Sequence, residues 1–188
     1  MLYKIFSKVL ANRLKRVLPH NISEHQSAFI KGHLIIDNIL VAYETLHYIK
    51  NHNSGRLGFM AFKLDMSKAY DKVEWSFLKN VVLQMGFDER WVALVMECIT
   101  MVTYSILING EPMGNIKLSR GIRQGDPLSL YLFLVFSEGL HKMIQRVACN
   151  CDIKGVSICR NGPKLTLFFF LQMIAFCFVG LLSKNVER

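Results

Sequence analysis

Residues 165–182 read LTLFFFLQMIAFCFVGLL, eighteen positions without a charge. This run limits the accessible folds more than any other feature of the sequence, because so much contiguous apolar surface has to leave water. It reaches the length of a transmembrane helix, which needs about 17–25 apolar residues to cross a hydrocarbon core. A segment buried in a protein core is the second reading, and a stretch foreign to the original coding sequence is the third. The rest of the chain has to decide between them. At 188 residues, 52% of them hydrophobic, it is long enough for one domain or part of a larger one, and too apolar for a disordered tail.

Lysines and arginines number 23 against 14 acidic residues, a formal net charge of +9. That excess fits a polyanionic partner such as nucleic acid, although a merely solvated basic surface gives the same count. The cysteines at 98, 149, 151, 159 and 177 are odd in number and lack disulfide-framework spacing. Cys149 and Cys151 also lack the second ligand pair of a zinc site, so all five read as reduced intracellular thiols. The scattered histidines supply no pair at i, i+4 spacing from which to infer a metal. The opening stretch MLYKIFSKVLANRLKRVLP is basic and amphipathic. A transit peptide or membrane-surface helix would look similar, but a helix packed on a core accounts for it better.

Leu2, Ile5, Phe6, Val9, Leu10, Leu14, Val17 and Leu18 recur at helical spacing, with Lys4, Lys8, Arg13, Lys15 and Arg16 mostly off the stripe and Pro19 after it. This predicts a helix with a basic face. A second helix is expected from about Asp37 to Lys50, followed by a loop at NHNSGR. LGFMAFKLD, Leu57 to Asp65, is short, apolar and ends in a lone acid. It reads as a buried strand that delivers Asp65 at its C-terminal end. Helices are expected near Glu74 to Met85 and Asp88 to Thr100, then a hairpin around a Gly and Pro turn in YSILINGEPMGNIKLSRG, then a long helix from Pro127 or Leu128 to about Val147. Mixed strands and helices without an internal repeat predict an α+β fold.

Two stretches stand out: FKLDMSKAYDKVEW, Phe62 to Trp75, and RGIRQGDPLS, Arg120 to Ser129. Singly, an acid at a strand end reads equally as a helix N-cap, and Gly-Asp-Pro as an ordinary turn before a helix. Together and in this order they resemble motifs A and B of reverse transcriptases, specifically those of LINE-type (non-LTR) retrotransposons such as the ones abundant in plants. The segment YKIFSKVLANRLKRVLPHNISEHQSAFIKGHLIIDNIL, Tyr3 to Leu40, is similar to the fingers region that precedes motif A in that family. The resemblance extends from about Tyr3 to Lys164. One departure is His33, where relatives commonly carry Arg; if that Arg contacts phosphate, triphosphate binding is weakened here.

The resemblance implies a fingers and palm fragment of a right-hand polymerase. Residues 1–56 would be a fingers-like helical region, 57–164 a palm and fingers region with motifs A and B, and 165–188 an aberrant apolar tail. Such enzymes join a 3′ hydroxyl to a nucleotide's α-phosphate with two Mg²⁺ ions roughly 4 Å apart, held by carboxylate oxygens. By resemblance, Asp65 is the motif A ligand and catalytic acid, with the backbone carbonyl of Met66 beside it. Tyr70 matches the ring that lies under the nucleotide's sugar and rejects a ribose 2′-OH, although plain core packing would also explain a tyrosine there. RNA-dependent RNA polymerases typically carry an acid at that offset. Asp71 is expected to be a structural cap. Gln124 and Gly125 resemble residues that contact the incoming nucleotide, while Asp126 and Pro127 start a helix. Arg120 and Arg123 would meet template or primer phosphates, or form a solvated basic loop. The implied partners are an RNA template, a DNA primer and deoxynucleotides, in the nucleus or cytoplasm. Membrane association would come only through the tail.

The family supplies a second pair of acids from a Phe-Ala-Asp-Asp hairpin, motif C, shortly after a Gly-Pro segment like Asn161-Gly162-Pro163-Lys164. This chain has no acid between Asp152 and Glu187. Asp65 alone cannot hold two cations, so the chain as written is expected to be inactive. The genetic code offers a cause. If each codon takes the last base of one codon and the first two of the next, Met173-Ile174 becomes GAT, which is Asp, for every Ile codon. Gln172-Met173 becomes Asp or Asn, and Leu171-Gln172 becomes Ala, Ser, Pro or Thr. Phe176-Cys177 becomes Leu, and Cys177-Phe178 becomes Phe or Leu. The expectation is that the uncharged tail is a frameshifted motif C. A nucleic-acid-binding remnant without catalysis and a tail-anchored membrane protein are the alternatives.

Overall fold

The computed structural model describes residues 2–23, 34–51, 57–150, 155–159, 162, 165, 167–171 and 174–182. The expectations at His33, in the loop 52–56 and at Asn161, Pro163 and Lys164 fall outside these residues. Helix α1 is Leu2–Asn21, α2 Ile35–Asn51, α3 Trp75–Gln84, α4 Glu89–Thr100 and α5 Pro127–Cys149. Strand β1 is Leu57–Asp65, β2 Thr103–Ile108, β3 Glu111–Lys117, β4 Leu167–Leu171 and β5 Ile174–Leu182, so the fold is α+β as expected. The chain forms two compact units, Met1–Asn21 with Lys68–Phe136, and Ile22–Ser67 with Ser137–Arg188.

In the first unit, α1, α3, α4 and the start of α5 supply a core that includes Leu14, Leu78, Val92, Leu128, Leu132 and Phe133. Fully burying each of the larger side chains contributes about 1.5–3 kcal/mol. The buried face of α1 differs from the expected stripe: Ser7, Leu10, Ala11, Leu14 and Leu18 point inward, whereas Leu2, Ile5, Phe6 and Val9 are 73%, 56%, 63% and 46% exposed. The helix is apolar around more than half its circumference, so hydrophobicity alone does not choose the inner face. A polar contact from Ser7 does. Helix α1 also runs through Pro19. Proline is tolerated here because only the last turn loses a hydrogen bond, and Asn21 Nδ2 closes that turn by donating to the Val17 carbonyl at 3.1 Å. Asp88 caps α4 by accepting from the Arg90 amide at 2.9 Å.

The β2–β3 hairpin turns at Asn109 and Gly110, whose φ angles of 53° and 88° are those of a tight two-residue turn. The turn is therefore Asn-Gly, and Pro112 sits inside β3 opposite Leu107. Both faces of this ribbon are exposed.

In the second unit the sheet order is β1-β5-β4. Strand β5 runs antiparallel to β1 from Leu57↔Leu182 to Asp65↔Ile174, and antiparallel to β4 from Leu167↔Cys177 to Leu171↔Ile174. The described part of the uncharged tail is thus a pair of strands, with only Gln172 and Met173 between them in sequence. Among the described residues no helix is long and apolar enough to cross a membrane. Helix α2 packs on this unit through Ala42, Val41, Tyr48 and Ile49 against Phe59, Ala61, Val156 and Leu165. Among the described residues Cys98 and Cys159 are free thiols.

Candidate nucleotide and nucleic-acid site

The segment after β1 and the loop before α5 meet in the first unit. Lys68 takes a left-handed φ of 53° and opens a 3-10 turn, Ala69–Lys72. Tyr70 in this turn is 8% exposed, and its ring stacks on Phe133 of α5 with centroids 4.9 Å apart and planes 12° from parallel. Asp71 lies inside the turn, whose N-cap is Lys68, while the N-cap of α3 is Glu74. The expected capping role of Asp71 is therefore wrong. Lys68, ahead of it in the chain, already bends the backbone through its own left-handed geometry.

The loop 118–126 is fastened along its length. The Gly121 amide donates to the Val73 carbonyl at 2.8 Å, and the Ile122 amide to the Tyr70 carbonyl at 2.9 Å. Trp75 Nε1 donates to the Gly121 carbonyl at 2.6 Å. Gly121 has φ +93°, and a Cβ there would stand 3.1 Å from the Asp71 carbonyl oxygen and 3.2 Å from its Cα. Only glycine combines that angle with so close an approach of two backbones. Arg120 is exposed and meets Glu74 at 3.5 Å, so part of its charge is already compensated. Arg123, Gln124 and Gly125 are exposed, the last with φ +83°. A cavity of about 560 Å³ is lined by Asp71, Tyr104, Ser119, Arg120, Arg123 and Gln124 among others. Two guanidinium groups, a phenol ring and an amide around one cleft offer phosphate, stacking and base-edge contacts.

Asp126 closes the loop from the other side. It is 9% exposed and accepts from the Leu128 amide at 3.4 Å, as a residue starting α5 should. It also accepts from the Tyr3 hydroxyl at 2.6 Å and from the Ser7 hydroxyl. Burial, then the hydrogen bond and charge of Asp126, push the Tyr3 phenol well above the ordinary tyrosine range. Burial likewise raises the Cys98 thiol, with Asp126 and Glu97 adding to the effect. Tyr3, Ser7, Trp75 and Phe133 are not singled out by the sequence motifs. Ser7 had a signal: it lies at helical spacing with Leu10, Leu14 and Leu18, a polar residue in an apolar row.

Asp65 belongs to the second unit. It ends β1, paired with Ile174, and its carboxylate is 3.9 Å from Lys63 Nζ, with both side chains more than half exposed. Met66 follows, half-buried. Reverse transcriptases as a family use divalent metal ions, which need several hard oxygen donors converging on one point. Among the described residues no group of three or more His, Cys, Asp or Glu could hold a metal ion. One exposed carboxylate with an ammonium beside it does not fit a two-ion centre.

The sequence of residues 1–166 matches the family model described as reverse transcriptase (RNA-dependent DNA polymerase). The chain is 30% identical over 136 residues to the transposon TX1 uncharacterized 149 kDa protein of Xenopus laevis, covering 72% of this chain and 10% of that protein. It is 29% identical over 134 residues to a retrovirus-related Pol polyprotein from the type-1 retrotransposable element R2 of Popillia japonica, covering 70% of this chain and 18% of that one. An uncharacterized mitochondrial protein of Arabidopsis thaliana, AtMg01250, is 39% identical over 64 residues, 34% of this chain and 52% of that protein. The chain thus spans between a tenth and about half of the length of these relatives. Among solved structures, apo telomerase from Candida tropicalis, truncated from its C-terminal domain, matches with a TM-score of 0.55 at 13% identity over 95% of this chain and 34% of that one. That likeness is one of fold, the mixed helix and sheet of a right-hand polymerase. The ordered motifs and these matches together show that the chain belongs to the reverse transcriptase (RNA-dependent DNA polymerase) family, as part of such a domain of the LINE (non-LTR) type.

Proposed function

We propose that the chain is the template- and nucleotide-binding part of an RNA-directed DNA polymerase that, as written, binds nucleic acid without copying it. The observation that carries this reading is the isolation of Asp65, opposite Ile174 in a chain with no acid from 153 to 186. Gln124 and Gly125 meet the incoming deoxynucleotide, and Tyr70, held by its stack on Phe133, lies under the sugar. Arg123, with Arg120, contacts phosphates of an RNA template or DNA primer. The Met66 carbonyl and Asp65 are the remaining half of a Mg²⁺ site. The protein acts inside the cell, in nucleus or cytoplasm. Residues 1–56 serve as fingers, 57–164 as palm and fingers, and 165–188 as the altered tail.

The tail is the product of a reading-frame slip between Thr166 and Leu171. Its register supports this. The two acids of the shifted frame fall at Gln172-Met173 and Met173-Ile174, next to the position that pairs with Asp65.

Primer extension tests the reading with the full chain, primed RNA, deoxynucleotides and Mg²⁺. No extension is expected, and extension is expected to appear in the frame-restored chain or in the double variant Met173→Asp with Ile174→Asp. Extension by the chain as written that vanishes in Asp65→Ala would refute it. Nucleic-acid binding is expected to be largely sequence-independent and to fall steeply with salt; affinity that ignores salt would remove the phosphate contacts from the proposal.

A further inference from the structure

We infer that Tyr3 and Ser7 are positioning residues for the nucleotide-contacting loop, acting through Asp126. This rests on the reading above that Gln124 and Gly125 face the nucleotide. An ordinary helix start needs only a short side chain that accepts from its own helix, and Asp126 does so at the Leu128 amide. Its carboxylate is nevertheless buried and takes two further donors, the Tyr3 and Ser7 hydroxyls, from a helix 119 and 123 residues away in sequence. Both donors lie one turn apart on α1, so two oxygens of one carboxylate are held by two consecutive turns of one helix. Hydrogen bonds to a charged group are the stronger kind.

The consequence is a loop fixed at both ends. Gly121 and Ile122 are bonded to Val73, Trp75 and Tyr70, and Asp126 to α1. Between these anchors only Arg123, Gln124 and Gly125 remain exposed. Tyr3 also lines a mostly apolar cavity of about 630 Å³ with Phe6, Leu10, Cys98 and Met101. Partial burial and the Asp126 contact together raise its phenol. A preorganised loop binds its ligand without the entropy cost of ordering, so the first two turns of α1 set nucleotide affinity without touching the nucleotide.

The test uses the full chain and the variants Tyr3→Phe, Ser7→Ala, both together, and Ser7→Thr, which restores the hydroxyl. Deoxythymidine triphosphate binding is read from Trp75 emission in a Trp91→Phe background, and amide hydrogen exchange is followed along the whole chain. The double variant, which loses both hydroxyl bonds to the Asp126 carboxylate, is expected to bind at least about tenfold more weakly. Its exchange is expected to quicken at residues 122–128 alone, and Ser7→Thr is expected to recover affinity over Ser7→Ala. Unchanged affinity with unchanged loop exchange overturns the inference. So does a uniform rise in exchange along α3, α4 and α5, which would make the pair a general core contact. If the parent chain binds primed RNA but no triphosphate, the nucleotide reading of Gln124 and Gly125 fails, and loop exchange still decides whether Tyr3 and Ser7 hold the loop.

Discussion

Replacing Gly121 by alanine isolates the contact on which the loop depends. Its φ of +93° lies where an L side chain costs about 1–2 kcal/mol. The added methyl would also meet the Asp71 carbonyl oxygen at 3.1 Å and Cα at 3.2 Å. Both are backbone atoms of a 3-10 turn and cannot rotate away as a flexible side chain would. Relieving the overlap has the character of core overpacking, which costs about 1–3 kcal/mol. Separating the two segments strains the Gly121 and Ile122 amide bonds to Val73 and Tyr70 as well. Gly121→Ala should therefore lose about 2–5 kcal/mol, a large part of the stability of a typical domain. Gly125 is the internal control, because its φ is similar at +83° but nothing lies within 4 Å of the methyl that alanine would add. Gly125→Ala should lose only the conformational part, about 1–2 kcal/mol. Urea unfolding followed by Trp75 emission measures both. If the two variants are equally stable to within about 0.5 kcal/mol, the spread expected for independent surface changes, the close approach of Gly121 to Asp71 contributes nothing and the argument fails.

Three other outcomes are expected. Asp65→Ala should leave stability within about 0.5 kcal/mol of the parent, since its only described ion pair is exposed; a large loss by thermal unfolding would mean a structural role for Asp65. Glu138→Ala should cost about 1–3 kcal/mol, because the 2% exposed carboxylate accepts from both the amide and hydroxyl of Ser23. Glu138→Gln, keeping one acceptor, should cost less, and Lys142→Ala almost nothing; equal losses in all three would contradict this ordering. Finally, stability should fall as pH rises past the ordinary tyrosine value near 10.0, because folded Tyr3 keeps a proton that the unfolded chain releases. Tyr3→Phe should flatten that decline in alkaline unfolding curves, and an unchanged slope would refute the assignment.

The helices and strands from Leu57 to Lys117 were legible in kind because local chemistry fixes them, but the hairpin turn expected at Gly and Pro lies at Asn109 and Gly110, with Pro112 inside β3. The inner face of α1 was not legible, because Leu2, Ile5, Phe6 and Val9 satisfy helical periodicity as well as Leu10, Leu14 and Leu18 do. What chose between them was a carboxylate at Asp126, and the one local trace of that contact over 119 residues is Ser7 itself, a polar residue in the row of Leu10, Leu14 and Leu18. The candidate site residues were named from the order of two motifs, yet the contacts that support them were hidden. Nothing in the spacing of Trp75 announces a bond to the Gly121 carbonyl, and Phe133 gives no sign that its ring will lie on Tyr70. The tail misled in the opposite sense. Its length fitted a membrane helix, but aromatic and β-branched residues also favour extended backbone, and pairing with β1 settles the matter in favour of strands.

The nine-residue ladder between β1 and β5 is made by amides and carbonyls, which every residue but proline carries alike. A sheet of this kind is nearly indifferent to the spelling of its strands, provided they stay apolar and extended. Chemistry has no such tolerance, since one carboxylate at the wrong place ends it. Under the proposed slip, the same stretch of gene therefore encodes two properties of unequal fragility. Catalysis is erased by one missing base, while architecture passes through the error because the shifted codons still spell Phe and Leu. On the proposed function, an inherited copy in this condition would be a folded product that keeps its nucleic-acid-binding surface and has lost its chemistry.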